Sequence, residues 1–561
     1  MNVNSPFKEI TLAAILYSAC VVLYFFPVLP SIAHSLIGPP EDNRQFYWFL
    51  WYGKNSLLRG DWPFLFSRHI YYPEGAGLYY ANYYYYGVFL SVLLGSFMNL
   101  VLVFNLLVLH TFVFAGVAAF LLLKYLTGDT KASLLGGFVF GFNPSHVAHS
   151  LHHVTIASIQ FVPLFVLFFI KMLKENKRSH ILWAAFFLVL NALCDWNYLV
   201  FGLIFIGLAS GYRLYKKRAF FLKEDLKKII GVLILTFVAL SPLIVPMLII
   251  GAKNTFLRKL DGYDIYVADL VAFVTPSATQ WLSATQGWFH SLNDQLKQES
   301  TAWEAVVYLG VMNLAVIAWA LGRRLRDCGK YFLGLLALMI LAMGVRLHVM
   351  GHSYPVPLPY RLLQELPFVN AARNPSRVIV YAYLFLAILV AFSVKRLFTA
   401  PDGSAKKKIA LAVICCLIFA DFYSVSSAKT PVELPPAYEI IKNDHAGDFG
   451  ILEIPWDTGR YMMIQTLHGI PCVQGYLGRR VEKTLGDRLP YDPKRLNEQK
   501  TMLIENKVKY IIIHKKKMTY DPSNAADQKY AFVLQQVAGI YARTYERIFE
   551  DDNCSVFKVY S

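Results

Sequence analysis

Long apolar runs alternate with short polar segments over three quarters of this chain. The runs lie near 11–29, 101–123, 132–143, 154–172, 181–194, 197–212, 229–250, 304–322, 331–346, 377–395 and 409–426, and two of them are short. A helix of about 20 apolar residues crosses the hydrocarbon core of a bilayer. The pattern therefore predicts an α-helical polytopic membrane domain of eleven spans over 1–429. Beyond 430 the chain is less apolar, and strand-like stretches at Gly450–Ile454, Val508–Ile513 and Cys554–Tyr560 alternate with helical ones near 459–468, 494–506 and 526–539. That alternation predicts a small α/β domain over 430–561.

Composition agrees, since 56% of the residues are hydrophobic and only 16% are charged, more apolar surface than a soluble domain can bury. The net charge of +17 comes from Lys and Arg clusters set between apolar runs. Such clusters orient a membrane protein, so no nucleic-acid partner is implied. The seven cysteines show no metal-ligand spacing, and only Cys472 and Cys554 share the tail domain.

Charge also fixes the topology. The stretch 86–123 holds either two spans or one span behind an interfacial helix. With one span, the clusters Lys171–Arg178, Arg213–Lys228, Arg323–Lys330 and Lys395–Lys408 all fall on one side, which the positive-inside rule makes cytoplasmic. The N-terminus is then cytoplasmic and retained as a helix, and the C-terminal domain is extracytoplasmic. The outer face collects the first loop (30–100), the segment 142–154, Asp195, the long loop 251–303, the segment 347–376 and the tail. The inner loops are short and basic, without a glycine-rich phosphate cradle. Tyr47, Trp48, Trp51, Tyr52, Trp62, Tyr71, Tyr72, Tyr79, Tyr80 and Tyr83–Tyr86 make the first loop dense in aromatics, as expected of helices seated at the headgroups.

Five groups of polar residues on the outer face can carry chemistry. In Pro40-Glu41-Asp42-Asn43-Arg44-Gln45-Phe46, a helix starting after Pro40 puts Asp42 on one face with Gln45, Phe46 and Phe49 and turns Glu41 elsewhere. The competing role for Asp42 is to sit at a helix N-terminus, stabilised by the dipole. In Asn143-Pro144-Ser-His146-Val-Ala-His149-Ser-Leu-His152-His153, Asn143 is an N-cap and Pro144 a first helical residue. His146, His149 and His153 then share a face, where neutral imidazoles contact a phosphate or sugar, bind a metal or pack as polar groups. Asp195, between two closely spaced helices, reads either as an Asx turn or as a site carboxylate. Asp269 and Glu304 flank the long outer loop, where a lid or acceptor contact belongs. Arg373 and Arg377 lie where a span begins, and an arginine fork there binds two phosphate oxygens at once or snorkels to headgroups.

Together, an acidic pair after the first helix, Gln45-Phe-x-Trp-x-x-Trp51, Tyr71-Tyr-Pro-x-Gly75, many spans and an outer C-terminal domain resemble the GT-C class of membrane glycosyltransferases, more narrowly bacterial YfhO-like members. The resemblance covers the whole chain in architecture. It implies inverting transfer of a sugar from a polyprenyl-phosphate or polyprenyl-diphosphate donor to a glycan or protein acceptor on the outer face of a bacterial cytoplasmic membrane. It assigns Asp42, with Glu41 beside it, as catalytic base or, in some members, a metal ligand. It also selects His149 and His152 from the histidine run and Asp269 and Glu304 as acids, all on the substrate side with Asp195, Arg373 and Arg377. The sequence lacks an Asp-x-Asp ligand pair in this region, which favours a metal-independent reaction. A transporter of lipid-linked glycans, or a non-catalytic envelope scaffold, would also need some of these groups. Against transport, the polar residues gather on one face and no internal repeat is evident.

Overall fold

A computed structural model describes residues 6–561 except 176, 217–221, 254–265, 278, 282–291, 293–302, 305, 323–327, 367–372, 399–404, 445–446, 456–457, 479–482 and 517–521. The chain forms two compact units. One comprises residues 1–31, 105–245 and 255–428, the other 32–104, 246–254 and 429–561.

The first unit is helical. Each apolar run becomes a helix or contains one, and among the described residues five helices are long and apolar enough to cross a membrane: Phe7–Phe25, Leu100–Thr127, Trp196–Lys216, Lys223–Lys253 and Pro375–Leu397. Shorter apolar helices occupy Arg178–Cys194, Val311–Gly322 and Gly329–Ala342, and Ala405–Phe422 completes the series. The run 154–172 is not one helix. It is a single turn, Val154–Ala157, followed by Val162–Glu175, and Pro163, which has no N–H to donate, suits the first turn of the second helix where that donor is not needed. Within Pro375–Leu397, 83% of the apolar window is buried, against 17% for Lys223–Lys253. The former is thus the packing centre and the latter has the exposure of a lipid-facing helix. Gly136 permits the close approach at that centre, since a Cβ there would lie 3.0 Å from the Ala387 carbonyl and clash with Leu123. The separate helix Tyr85–Leu94 precedes Leu100–Thr127, the arrangement of one span behind a short helix.

The second unit contains a four-stranded sheet in the order Gly450–Ile454, Val508–His514, Cys554–Lys558, Glu546–Glu550. The first pair is parallel and the others antiparallel. Helices Thr458–His468, Leu496–Glu505 and Ala525–Tyr541 match the three expected stretches, whereas the edge strand Glu546–Glu550 was not evident from its mostly polar alternation. Residues of the first long loop are built into this unit. Ser35–Ile37 pairs with Lys429–Pro431, the Cys472 amide donates to the His69 carbonyl at 2.9 Å, and the Tyr72 amide donates to the Cys472 carbonyl at 2.9 Å. Helix Asn43–Leu58 packs against Thr458–His468, and Trp48 Nε1 donates to Gln465 Oε1 at 2.5 Å.

This packing corrects the headgroup expectation for most of the aromatic loop. Trp48, Tyr83 and Tyr84 are wholly or almost wholly buried, and Trp48 stacks on Tyr52 with centroids 5.0 Å apart. They form a core, since large rings with one polar atom are stable inside when that atom finds a partner. Trp62, by contrast, is half exposed.

Candidate functional site

The helical unit buries a charged cluster built from three distant parts of the chain. The first part is the histidine run. Asn143 caps helix Pro144–His152 by accepting from the His146 amide at 2.9 Å, and Pro144 opens the helix. His146 is consumed structurally: Nδ1 meets the Gly141 carbonyl at 2.6 Å, Nε2 meets Thr111 Oγ1 at 3.0 Å, and the ring stacks on Phe112. One turn later His149 points elsewhere, and the chain leaves the helix at His153, whose φ and ψ are −136° and 85°. This bend brings both imidazoles to Glu304.

Glu304 is the centre of the cluster and is 3% exposed. Arg377 donates to both of its oxygens, with Nε at 3.1 Å from Oε1 and 3.0 Å from Oε2, and a terminal nitrogen adds a further bond to Oε1. Asn374 Nδ2 donates to Oε1 at 3.2 Å. His149 Nε2 lies 4.0 Å from Oε2, and His153 Nδ1 lies 3.7 Å from Oε1. Burial alone would raise the Glu304 carboxyl, but the charge and hydrogen bonds of Arg377 hold it well below the ordinary range. Burial pushes His149 down to about 3 despite the pull of Glu304. His149 is therefore neutral near pH 7, and its Nδ1 has no hydrogen-bond partner.

Asp195 lies on the same side of the unit, close enough for its charge to act on Arg377. Its Oδ1 accepts from the Asn197 amide at 2.9 Å and from Asn197 Nδ2 at 2.7 Å, the Asx turn that its position suggested. Its Oδ2 is buried without a partner, as are Gln160 Oε1 and both polar atoms of the Asn191 side chain. Buried polar atoms normally find partners, so open valences of this kind around a buried carboxylate mark a place built to receive polar groups.

The other expected residues fall elsewhere. His152 stacks on Trp303, centroids 3.9 Å apart, a ring that His153 also meets edge-on at 6.4 Å. Arg373 is exposed, with its guanidinium 5.6 Å from the Tyr266 ring centroid. Asp269 holds a hairpin: it accepts from the amides of Val271 at 2.8 Å, Met350 at 3.2 Å and Gly351 at 2.9 Å. Met350 and Gly351 have φ of 53° and 78°, the tight turn between strands Arg346–Val349 and His352–Pro357. Most of the expected lid, in 251–303, lies outside the described residues. In the second unit, Asp42 is half-buried and precedes helix Asn43–Leu58, but its side chain makes no capping hydrogen bond. Glu41, also half-buried, supplies its carbonyl to the Arg44 amide at 3.0 Å.

Sequence reasoning set His153 on one face with His149 but chose His152 for the site, and it passed over Asn374. Asn374 sits inside a stretch that it had singled out, immediately before the turn Pro375–Val378, and no periodicity selects it. The groups able to hold a cation here are His149, His153 and Glu304, one ligand atom of each lying within 4.8 Å of the others, although Arg377 already engages the carboxylate.

Comparison with known proteins bears on the fold. A family model described as "Domain of unknown function (DUF6311)" matches residues 13–423. No curated protein matches the sequence. Among solved structures, the chain is similar to the arabinofuranosyltransferase AftD from Mycobacteria, with TM-score 0.59 and 14% identity over 98% of this chain and 40% of that one. It is also similar to the oligosaccharyltransferase AglB from Archaeoglobus fulgidus, solved with an inhibitory peptide and a dolichol-phosphate, with TM-score 0.52 and 12% identity over 97% of this chain and 73% of that one. ArnT from Cupriavidus metallidurans gives TM-score 0.53 and 10% identity over 98% of both chains. At these identities the likeness is one of fold, and the fold is GT-C-like.

Proposed function

On the premise that the chain belongs to the DUF6311 family, we propose that it is a membrane glycosyltransferase that moves a sugar from a polyprenyl-phosphate donor to a glycan or protein acceptor on the extracytoplasmic face of a bacterial cytoplasmic membrane. The observation that carries this reading is the buried Glu304–Arg377 pair with His149 and His153 against it, inside a fold like that of AftD and AglB. Ionisable residues buried in a helix bundle are costly and persist where function needs them.

Transfer breaks the bond between the anomeric carbon and the phosphate oxygen and forms one to the acceptor oxygen. The lipid phosphate leaves with the electron pair, and the acceptor hydroxyl loses its proton. The part of Asp42, with Glu41 beside it, as the base that takes that proton rests on the sequence resemblance alone. Arg377 and the exposed Arg373 supply positive charge for the leaving phosphate, since a fixed cation stabilises charge as it develops. His149, neutral by burial, and Asp195 offer open valences to sugar hydroxyls. Glu304 fixes the guanidinium and completes its charge in the absence of substrate.

The test is turnover of a panel of polyprenyl-phosphate sugars by the protein in lipid nanodiscs, with Asp42→Asn and Arg377→Lys beside the wild type. Sugar release or transfer by wild type, lost in folded Asp42→Asn, supports the reading. Equal turnover by wild type and Asp42→Asn removes Asp42 from the mechanism. Movement of an intact lipid-linked glycan across the bilayer, without cleavage, replaces the enzyme by a transporter.

A further inference from the structure

The sheet of the second unit carries a buried cluster outside the proposed chemistry. Alternation along the strands puts Ile451 and Glu453, Tyr510, Ile512 and His514, and Cys554 and Val556 on one face. That face is otherwise apolar. Glu453 is fully buried there, and an unpaired buried carboxylate is expensive. Its Oε2 is satisfied twice, by the Tyr438 hydroxyl at 2.7 Å and His514 Nε2 at 2.6 Å. Its Oε1 is buried and makes no hydrogen bond.

His468 and Cys472 complete the arrangement. His468 ends helix Thr458–His468, is 8% exposed, and stacks on Tyr438 with centroids 5.1 Å apart. Its Nε2 is buried without a partner. Cys472 is 2% exposed and bridges to Ile451 beside the first strand. Its backbone amide and carbonyl are those that pair with His69 and Tyr72 of the first loop. One ligand atom from each of Glu453, His468 and Cys472 falls within 4.8 Å of the other two.

We infer that Glu453, His468 and Cys472 form a binding site for a divalent transition-metal cation of zinc type, with the fourth position left to water. Three observations carry it: the carboxylate, imidazole and thiol donor set that zinc accepts, the convergence of the three ligands, and the open valences on Glu453 Oε1 and His468 Nε2. Atoms bound to one tetrahedral zinc lie roughly 3.3–3.8 Å apart by the usual bond lengths, so the three ligand atoms draw together on loading. Tyr438 and His514 hold Glu453 from behind, as outer partners orient a ligating carboxylate. Burial, together with Glu453, keeps the Cys472 thiol neutral in the cation-free state. A bound cation reverses this, because a coordinating thiol ionises.

Loading also moves one ring proton. His468 Nδ1 accepts from the Ile470 amide at 3.1 Å, which places the imidazole proton on Nε2. Ligation at Nε2 shifts that proton to Nδ1 and releases the Ile470 contact, while the Cys472 proton goes to solvent. The cation then ties strand Gly450–Ile454, the end of helix Thr458–His468 and the segment that receives the first loop. The competing occupant is a single water accepting from Nε2–H and donating to Oε1.

The full-length protein, stripped with a chelator and titrated with Co²⁺, decides between them. The expected result is one tightly held equivalent with a thiolate-to-cobalt charge-transfer band, displaced by Zn²⁺, absent in Cys472→Ser and present in Cys554→Ser. Zinc should raise the melting temperature of the wild type and not of Cys472→Ser. A folded wild type that shows no charge-transfer band, or a band that persists in Cys472→Ser, overturns the site. If Cys472→Ser fails to fold, His468→Ala serves in its place and must abolish the tightly held equivalent while wild type keeps it.

Discussion

The two units solve the problem of a buried glutamate differently. In the helical unit Glu304 is matched by a full positive charge, with Arg377 engaging both oxygens and Asn374 adding a bond. In the α/β unit Glu453 is held on one oxygen by a tyrosine hydroxyl and an imidazole, and its other oxygen is open. Each has two more ligand-type side chains nearby. The first cluster therefore carries its own cation and is electrostatically complete before substrate arrives. The second has the donor set but an open valence, which suits it to an external cation. The teaching is that similar residue types differ in use according to whether an arginine is within reach.

The largest effect should come from removing that arginine. Arg377→Ala leaves Glu304 buried without its counter-ion, and breaking such a pair costs about 3–5 kcal/mol. A melting temperature in detergent close to wild type would mean that Glu304 draws its stability from other groups. Arg377→Met with Glu304→Gln should recover much of the loss, since both charges go together. For chemistry, Asp42→Asn should lower sugar transfer by about 10²–10⁴-fold, the usual weight of a general base, in protein that still folds.

Acid separates the two clusters more finely. His149 and His468 are each pushed by burial from an ordinary 6.5 to about 3. The unfolded chain then binds more protons than the folded one between those values, so stability falls as pH drops from 6.5 towards 3. Each histidine contributes a slope of about 1.4 kcal/mol per pH unit. Glu304, whose folded value is depressed, keeps its contribution until pH falls below the ordinary carboxylate range. Melting curves across this window should flatten in His149→Gln and, in cation-free protein, in His468→Gln. Zinc should flatten the slope from His468 alone.

The smallest effect is expected at Asp195. Asparagine retains the acceptor for the Asx turn, so Asp195→Asn should change stability by about 1 kcal/mol or less. A larger loss in the melting temperature would show that Arg377 depends on the Asp195 charge as well as on Glu304.

Local features were readable in the sequence because their causes are local. Asn143 and Pro144 start a helix through contacts within one turn, Asp195 turns the chain through Asn197 two residues on, and the strands at 450–454 and 508–514 follow from short runs rich in isoleucine and other strand-forming residues. Asp269 shows the limit of that reading. Its position beside a span drew attention as an acid, yet its carboxylate closes a turn some eighty residues away through Met350 and Gly351. The aromatic loop shows the same limit, since density of Trp and Tyr does not distinguish a headgroup belt from a core until the partner surface is known.

What the sequence determined by itself is the apolar periodicity, the basic clusters between apolar runs, the α/β character of the tail and the residue types available for a site. Those depend on neighbours in the chain or on average composition. Tertiary structure alone decided that Glu304 meets Arg377 across 73 residues and not Arg373, that His149 and His153 both reach Glu304, and that Glu453, His468 and Cys472 converge. These pairings turn on where helices end and which strand faces coincide. A buried charge settles on whichever partner the packed backbone brings within hydrogen-bond distance, and no spacing along the chain encodes that distance.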